Sequence, residues 1–169
     1  MKNTKKLVYA AVLAALACAA TLVIHVPSPT GGYMNLGDTV VILSSYLLGP
    51  WWGAAAAGIG SALADLISGA PLYIPATLLI KALMALCAAL VYRALGRKSW
   101  AVIPCGILAE AIMVLGYWFY DGLLMGSCLG AAAGLPSNLM QAVLGLAGSS
   151  ALAFALLSSS YVKKEFPEL

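Results

Sequence analysis

From Leu7 to Ile24 the chain runs 18 residues without a charged side chain, and similar apolar runs recur between short polar breaks as far as residue 160. A helix needs roughly 20 mainly apolar residues to cross the hydrocarbon core of a bilayer, and backbone in lipid must satisfy its own hydrogen bonds. Runs of this kind therefore predict membrane-spanning helices. Composition agrees: of 169 residues, 63% are hydrophobic and 9% charged, and the mean hydropathy of +0.97 is far from that of water-soluble domains. The length supplies about six crossings with short connections, so residues 1–169 read as a single integral membrane domain, an all-α bundle of six transmembrane helices.

The breaks place the spans near 6–25, 38–49, 51–69, 72–93, 100–120 and 136–160. The connection from His25 to Asp38 carries Pro27, Pro29, Gly31 and Gly32; too irregular and polar to face lipid, it predicts a cap folded over the helix ends. Cytoplasmic loops carry an excess of Lys and Arg. Lys2, Lys5 and Lys6 precede the first span, Arg93, Arg97 and Lys98 separate the fourth from the fifth, and Lys163 and Lys164 follow the last. Six spans put all of these on one side, so both termini are expected in the cytoplasm, and the loops left outside contain no Lys or Arg. The net charge of +3 thus reports orientation rather than nucleic-acid binding. Cys18, Cys87, Cys105 and Cys128 lie in apolar segments without metal-ligand spacing and read as packing residues. The apolar run continues past Cys18, which predicts an uncleaved first helix.

Ionisable groups in a bilayer are costly and normally face the bundle interior. Lys81 and Glu110 fall near mid-membrane on the fourth and fifth spans, where an ion pair between them competes with contact to a ligand. Tyr73, Thr77 and Lys81 recur every four residues, and Glu110, Tyr117 and Asp121 share a stripe of the next helix. The last span opens Pro136-Ser137-Asn138-Leu139-Met140-Gln141, with two amides one turn apart. Polar and aromatic groups of three helices converge on one outward-opening region. Amides donate and accept, and Tyr117 or Trp118 suits stacking on a flat ring, so a small polar heteroaromatic ligand is expected there. Tyr33 and Asn35 in the cap are placed to close over it, although a turn-forming role for Asn35 is comparable. His25, the only histidine, reads as a loop hydrogen-bonding residue. Small residues also align at four-residue spacing: Ala54, Gly58 and Ala62 read as internal packing, while Ala11, Ala15 and Ala19 suit internal packing or an external partner helix equally.

No phosphate-binding GxxxxGK[ST] loop is present, so the chain does not itself use ATP, and neither a metal-ligand cluster nor a catalytic constellation appears. No cofactor and no enzymatic activity are expected. The run Asn35-Leu36-Gly37-Asp38, the Leu48-Gly49-Pro50 break, Asp65-Leu66-Ile67-Ser68-Gly69, Tyr73, Thr77, Ile80-Lys81 and the Pro136/Asn138/Gln141 helix start together resemble the substrate-binding S components of energy-coupling factor (ECF) vitamin transporters. The resemblance covers nearly the whole chain. It implies a prokaryotic multi-pass cell-membrane protein that binds a vitamin beneath the loop joining its first two helices. It further implies assembly with a membrane T component and two cytoplasmic ATPases, with the alanine face of Ala11, Ala15 and Ala19 docking on the T component. Asn138 and Gln141 are the first ligand contacts it implies, followed by Tyr117, Trp118 and Thr77. Vitamin B6 is the first expectation, then hydroxymethylpyrimidine, the thiamine precursor, or riboflavin. A stand-alone channel or carrier for small solutes is the competing class, and a structural subunit without ligand a third.

Overall fold

The computed structural model describes residues 3–169, and its helices follow the apolar runs. Helix α1 is Asn3–Val23, α2 Gly37–Ser68, α3 Ile74–Ala94, α4 Val102–Met125, α5 Cys128–Ala131, α6 Leu135–Leu157 and α7 Ser160–Glu165. Five of the membrane-length segments are long and apolar enough to cross a bilayer. The sixth crossing comes from inside α2. At Gly49 the backbone takes φ 76° and ψ −172°, and Pro50 follows. A left-handed φ suits glycine and few other residues, and proline leaves the carbonyl one turn behind it without a donor. The chain direction reverses there: Ser44 Oγ donates to Gly53 O at 3.2 Å, although nine residues of continuous helix would separate them by about 13 Å. Arms 37–48 and 50–68 therefore form a tight helical hairpin, matching the expected second and third spans.

This hairpin is the axis of the bundle. Every residue from 41 to 50 is buried, and α1, α3 and α6 pack around it, with α4 closing the ring against α3 and α6. Small residues set the spacing. A side chain at Gly60 would meet the Ala14 carbonyl of α1 at 2.3 Å, and one at Gly58 would meet the Leu78 carbonyl of α3 at 2.8 Å. The stripe of Ala54, Gly58 and Ala62 thus packs internally through Gly58. On α1 the inward face is Ala10, Leu13, Ala17 and Thr21, whereas Ala11, Ala15 and Ala19 are exposed. Tyr46, Ile42, Met84, Tyr92, Val102 and Met113 fill the core, where the Tyr46 hydroxyl donates to Val102 O at 2.8 Å.

The two ends of the bundle differ. At the end holding the chain termini, Lys5 donates to Glu165 at 2.6 Å and Tyr9 to the same carboxylate at 3.0 Å. Glu168 accepts from Arg93 at 2.6 and 2.9 Å and from Arg97 at 2.8 Å. The Lys5 bond, then that from Tyr9, holds the Glu165 carboxyl below its ordinary range. Burial works to raise Glu168, but Arg93 and Arg97 outweigh it and keep that carboxyl low too. The basic groups at residues 5–6, 93–98 and 163–164 thereby gather at one end; Lys2, expected with them, lies outside the described residues.

The opposite end is capped. Strands β1 (Val26–Pro27) and β2 (Tyr33–Met34) pair antiparallel, with Val26 opposite Met34 and Pro27 opposite Tyr33. Ser28 N donates to Gly32 O at 2.8 Å across the turn. Ser28 Oγ lies 2.9 Å from Ser137 Oγ, tying the hairpin to α6, and His25 stacks on Tyr33 with ring centroids 3.8 Å apart. Stacking, rather than a loop hydrogen bond, is what engages His25. The fifth span also continues past its expected end at residue 120, because the Asp121 carboxylate is buried inside the bundle with a tyrosine partner instead of ending the helix in water.

Candidate functional site

Beneath the cap a recess of about 470 Å³, counted to its mouth, opens among five membrane-length helices and the β1–β2 hairpin. Its walls are polar: α1 contributes Thr21, α2 Ser61 and Asp65, and α3 Tyr73, Thr77 and Lys81. Tyr117 and Asp121 come from α4, Asn138 and Gln141 from α6, and Tyr33 and Asn35 from the cap. Helical periodicity explains the alignment, since residues three or four apart share a face. Proline in the first turn of α3 and of α6 fixes where those faces begin without removing a needed donor.

A buried relay forms the floor. Lys81 Nζ donates to Asp38 Oδ1, and Gln141 Nε2 donates to Asp38 Oδ2 at 2.6 Å. Gln141 Oε1 accepts from Asn35 N at 2.9 Å and Asn35 Nδ2 at 3.2 Å, while Asn35 Oδ1 accepts from Gly37 N at 2.8 Å. Cap, α2, α3 and α6 are thus joined through one carboxylate. Lys81 Nζ also lies 5.3 Å from the Tyr117 ring centroid, a cation–π distance.

The sides consist of three hydroxyl pairs. Tyr33 donates to Asp65 Oδ1, Tyr73 donates to Asp121 Oδ1 at 2.9 Å, and Thr77 Oγ1 lies 2.9 Å from the Tyr117 hydroxyl. Burial and the adjacent Asp65 carboxylate push the Tyr33 hydroxyl well above the ordinary tyrosine range, so it remains a donor. The Asn138 amide faces the recess and makes no hydrogen bond with another described residue. Buried polar side chains normally have partners, so this amide is available to a ligand.

Of the ten residues expected to bind ligand, eight line the recess and two do not. Trp118 turns away, its Nε1 donating to Cys128 O at 2.9 Å. It braces the α4–α5 connection, and of the two rings expected to stack on a ligand only Tyr117 lines the recess. Glu110 lies in a groove between α4 and α6, among Ile107, Val114, Leu139 and Val143. The expected Lys81–Glu110 pair does not form: Lys81 is bonded to Asp38, and neither Glu110 carboxyl oxygen has a partner among the described residues. Ser61, Asp65, Asp121 and Thr21 also line the walls, with Ser28, Thr30 and Gly32 from the cap. Asp121 stood out in the sequence on the stripe of Glu110 and Tyr117, and Asp65 at the head of the run to Gly69; Ser61 and Thr21 carried no comparable signal.

The sequence matches the family of ECF-type riboflavin transporter S components over residues 1–158. An uncharacterised protein of the gap 3′ region of Pyrococcus woesei is 35% identical over 138 residues, covering 80% of this chain and 90% of that protein. Two solved structures share the fold. The S component of a bacterial ECF transporter superimposes with a TM-score of 0.69 at 20% identity, covering 93% of this chain and 97% of the other. The biotin S component of an ECF-type ABC transporter gives 0.62 at 17% identity, covering 90% and 94%. With a family match that runs from the first helix to the end of the last span, the chain belongs to the ECF-type riboflavin transporter S components, multi-pass membrane proteins of vitamin uptake.

Proposed function

We propose that this chain captures a flat heteroaromatic vitamin in the recess under the β1–β2 cap and hands it inward as part of an assembly with a T component and two ATPases. The observation that carries this reading is the convergence of the cap and five helices on one polar recess lined by an amide without a partner among the described residues, Asn138, and an aromatic ring, Tyr117. Family membership puts riboflavin first. The Tyr117 ring and the Asn138 amide on the walls suit the single-ring vitamin B6 or hydroxymethylpyrimidine as the second reading. The cap is tied down over the recess, so entry of a ligand includes its outward movement, released at Ser28–Ser137, Tyr33–Asp65 and Asn35–Gln141. The positive-inside rule puts the Lys/Arg-rich terminal end in the cytoplasm and the cap outside. Exposed Ala11, Ala15 and Ala19 offer the T component a face on which backbones approach closely.

Calorimetric titration of the purified chain with riboflavin, pyridoxine and hydroxymethylpyrimidine tests the reading. One of them is expected to bind with a submicromolar Kd, and Asn138→Ala to weaken it about fivefold to tenfold, the worth of one hydrogen bond, without lowering the melting temperature. Absence of binding by all three to folded, ligand-free protein would put the stand-alone channel or carrier ahead of the vitamin reading.

A further inference from the structure

Two buried polar atoms in the recess wall have no hydrogen-bond partner among the described residues: Ser61 Oγ and Asp65 Oδ2. They sit one helical turn apart on α2, so they share a face. Both residues are almost fully buried, at 2% and 3% exposure, and both line the recess. Tyr33 serves the other Asp65 oxygen, and the nearest further donor on the Asp65 side is the Thr77 hydroxyl, which is shared with Tyr117 and makes no hydrogen bond to Asp65 Oδ2. Lys81, the one cation lining the recess among the described residues, is bonded to Asp38. An unpaired carboxylate oxygen accepts and never donates, and keeping it buried without a donor is costly. The remaining charge of the wall is acidic as well, since Asp121 faces the same space with only Tyr73 as its partner.

From this arrangement we infer that Asp65 Oδ2 and Ser61 Oγ are the specificity-determining anchor of the site. They select a ligand that presents an N–H group, whether a ring imide, an exocyclic amine or a protonated ring nitrogen, and reject ligands that bring a carboxylate or phosphate. The inference rests on the recess being the vitamin site. Asp65 accepts the ligand's N–H, and Ser61 completes the contact as donor or acceptor to the neighbouring ring atom. The Lys81–Asp38 pair stays intact and offers no counter-charge to an anion.

The test compares wild type, Asp65→Asn and Ser61→Ala in calorimetric titrations with riboflavin, pyridoxamine, hydroxymethylpyrimidine and biotin, alongside their melting temperatures. Asparagine at 65 keeps an acceptor for Tyr33 but removes the orphaned charge. The inference predicts that wild type binds at least one of the first three and not the carboxylate-bearing biotin. It also predicts that Asp65→Asn weakens that ligand at least tenfold and Ser61→Ala at least threefold, with melting temperatures of the unliganded variants unchanged or raised. Residues with a merely structural role would show the opposite, a lower melting temperature with ligand affinity retained in the folded fraction. Wild-type binding that survives within twofold in both variants, or a preference for biotin, overturns the inference and leaves the vitamin reading standing. Failure of wild type to bind any of the four overturns both.

Discussion

Asp38 is the residue on which the site turns. It receives both Lys81 and Gln141 while fully buried. Removing one member of a buried ion pair leaves the other charge stranded at a cost of about 3–5 kcal/mol, whereas replacing both with apolar groups of similar volume is often near neutral. Thermal melts should therefore find Asp38→Leu and Lys81→Met each strongly destabilised and the double variant much closer to wild type. Losses that simply add would contradict the pairing. In the same measurements Glu110→Gln should be neutral or stabilising, because that carboxyl has no partner to lose. Sequence spacing identified Lys81 and Glu110 and paired them with each other; it missed Asp38, which ends the cap connection, as the partner of Lys81. Depth along straight helices put Lys81 and Glu110 level, whereas the first arm of α2, residues 37–48, is only about 18 Å long and so brings Asp38 well below the surface of a core about 30 Å thick. Ser61 was illegible for a different reason: a serine inside an apolar helix usually bonds its own backbone, as Ser44 and Ser45 do, and only three-dimensional neighbours reveal that it does not.

At the scale of elements, the apolar runs located every crossing, because lipid permits few alternatives to a helix. The Leu48-Gly49-Pro50 break was readable as a reversal, since glycine supplies the left-handed φ and proline stops helical hydrogen bonding. The terminal clasp was not readable: its partners lie as much as 160 residues apart, and surface charges carry no pairing code. Its pH dependence follows from the lowered Glu165 and Glu168 carboxyls. A carboxyl held below its unfolded value of 4.5 stabilises the folded state above that pH, and the contribution disappears as pH falls through the folded value. The melting-temperature advantage of wild type over Glu168→Gln should thus be full at pH 7 and vanish progressively below about pH 4.5; an advantage that grows on acidification would contradict the clasp. The outer face of α1 gives a separate prediction. Ala15→Trp should block co-purification with the T component while leaving vitamin affinity within twofold, and loss of both together would mean that this face packs internally.

The whole molecule joins a capped polar recess at one end to a basic, clasped terminal end at the other, through a bundle whose axis is the α2 hairpin. On the proposed function, concentrative uptake draws its energy from ATPase partners. The most direct test is uptake of radiolabelled riboflavin and pyridoxine into proteoliposomes holding this chain alone or together with its T component and ATPases. The account predicts that the chain alone binds one of these vitamins without accumulating it, and that accumulation above the external concentration appears only with the full assembly and ATP. Rapid equilibration of either vitamin across the membrane by the chain alone would contradict it and mark the protein as a stand-alone channel or carrier.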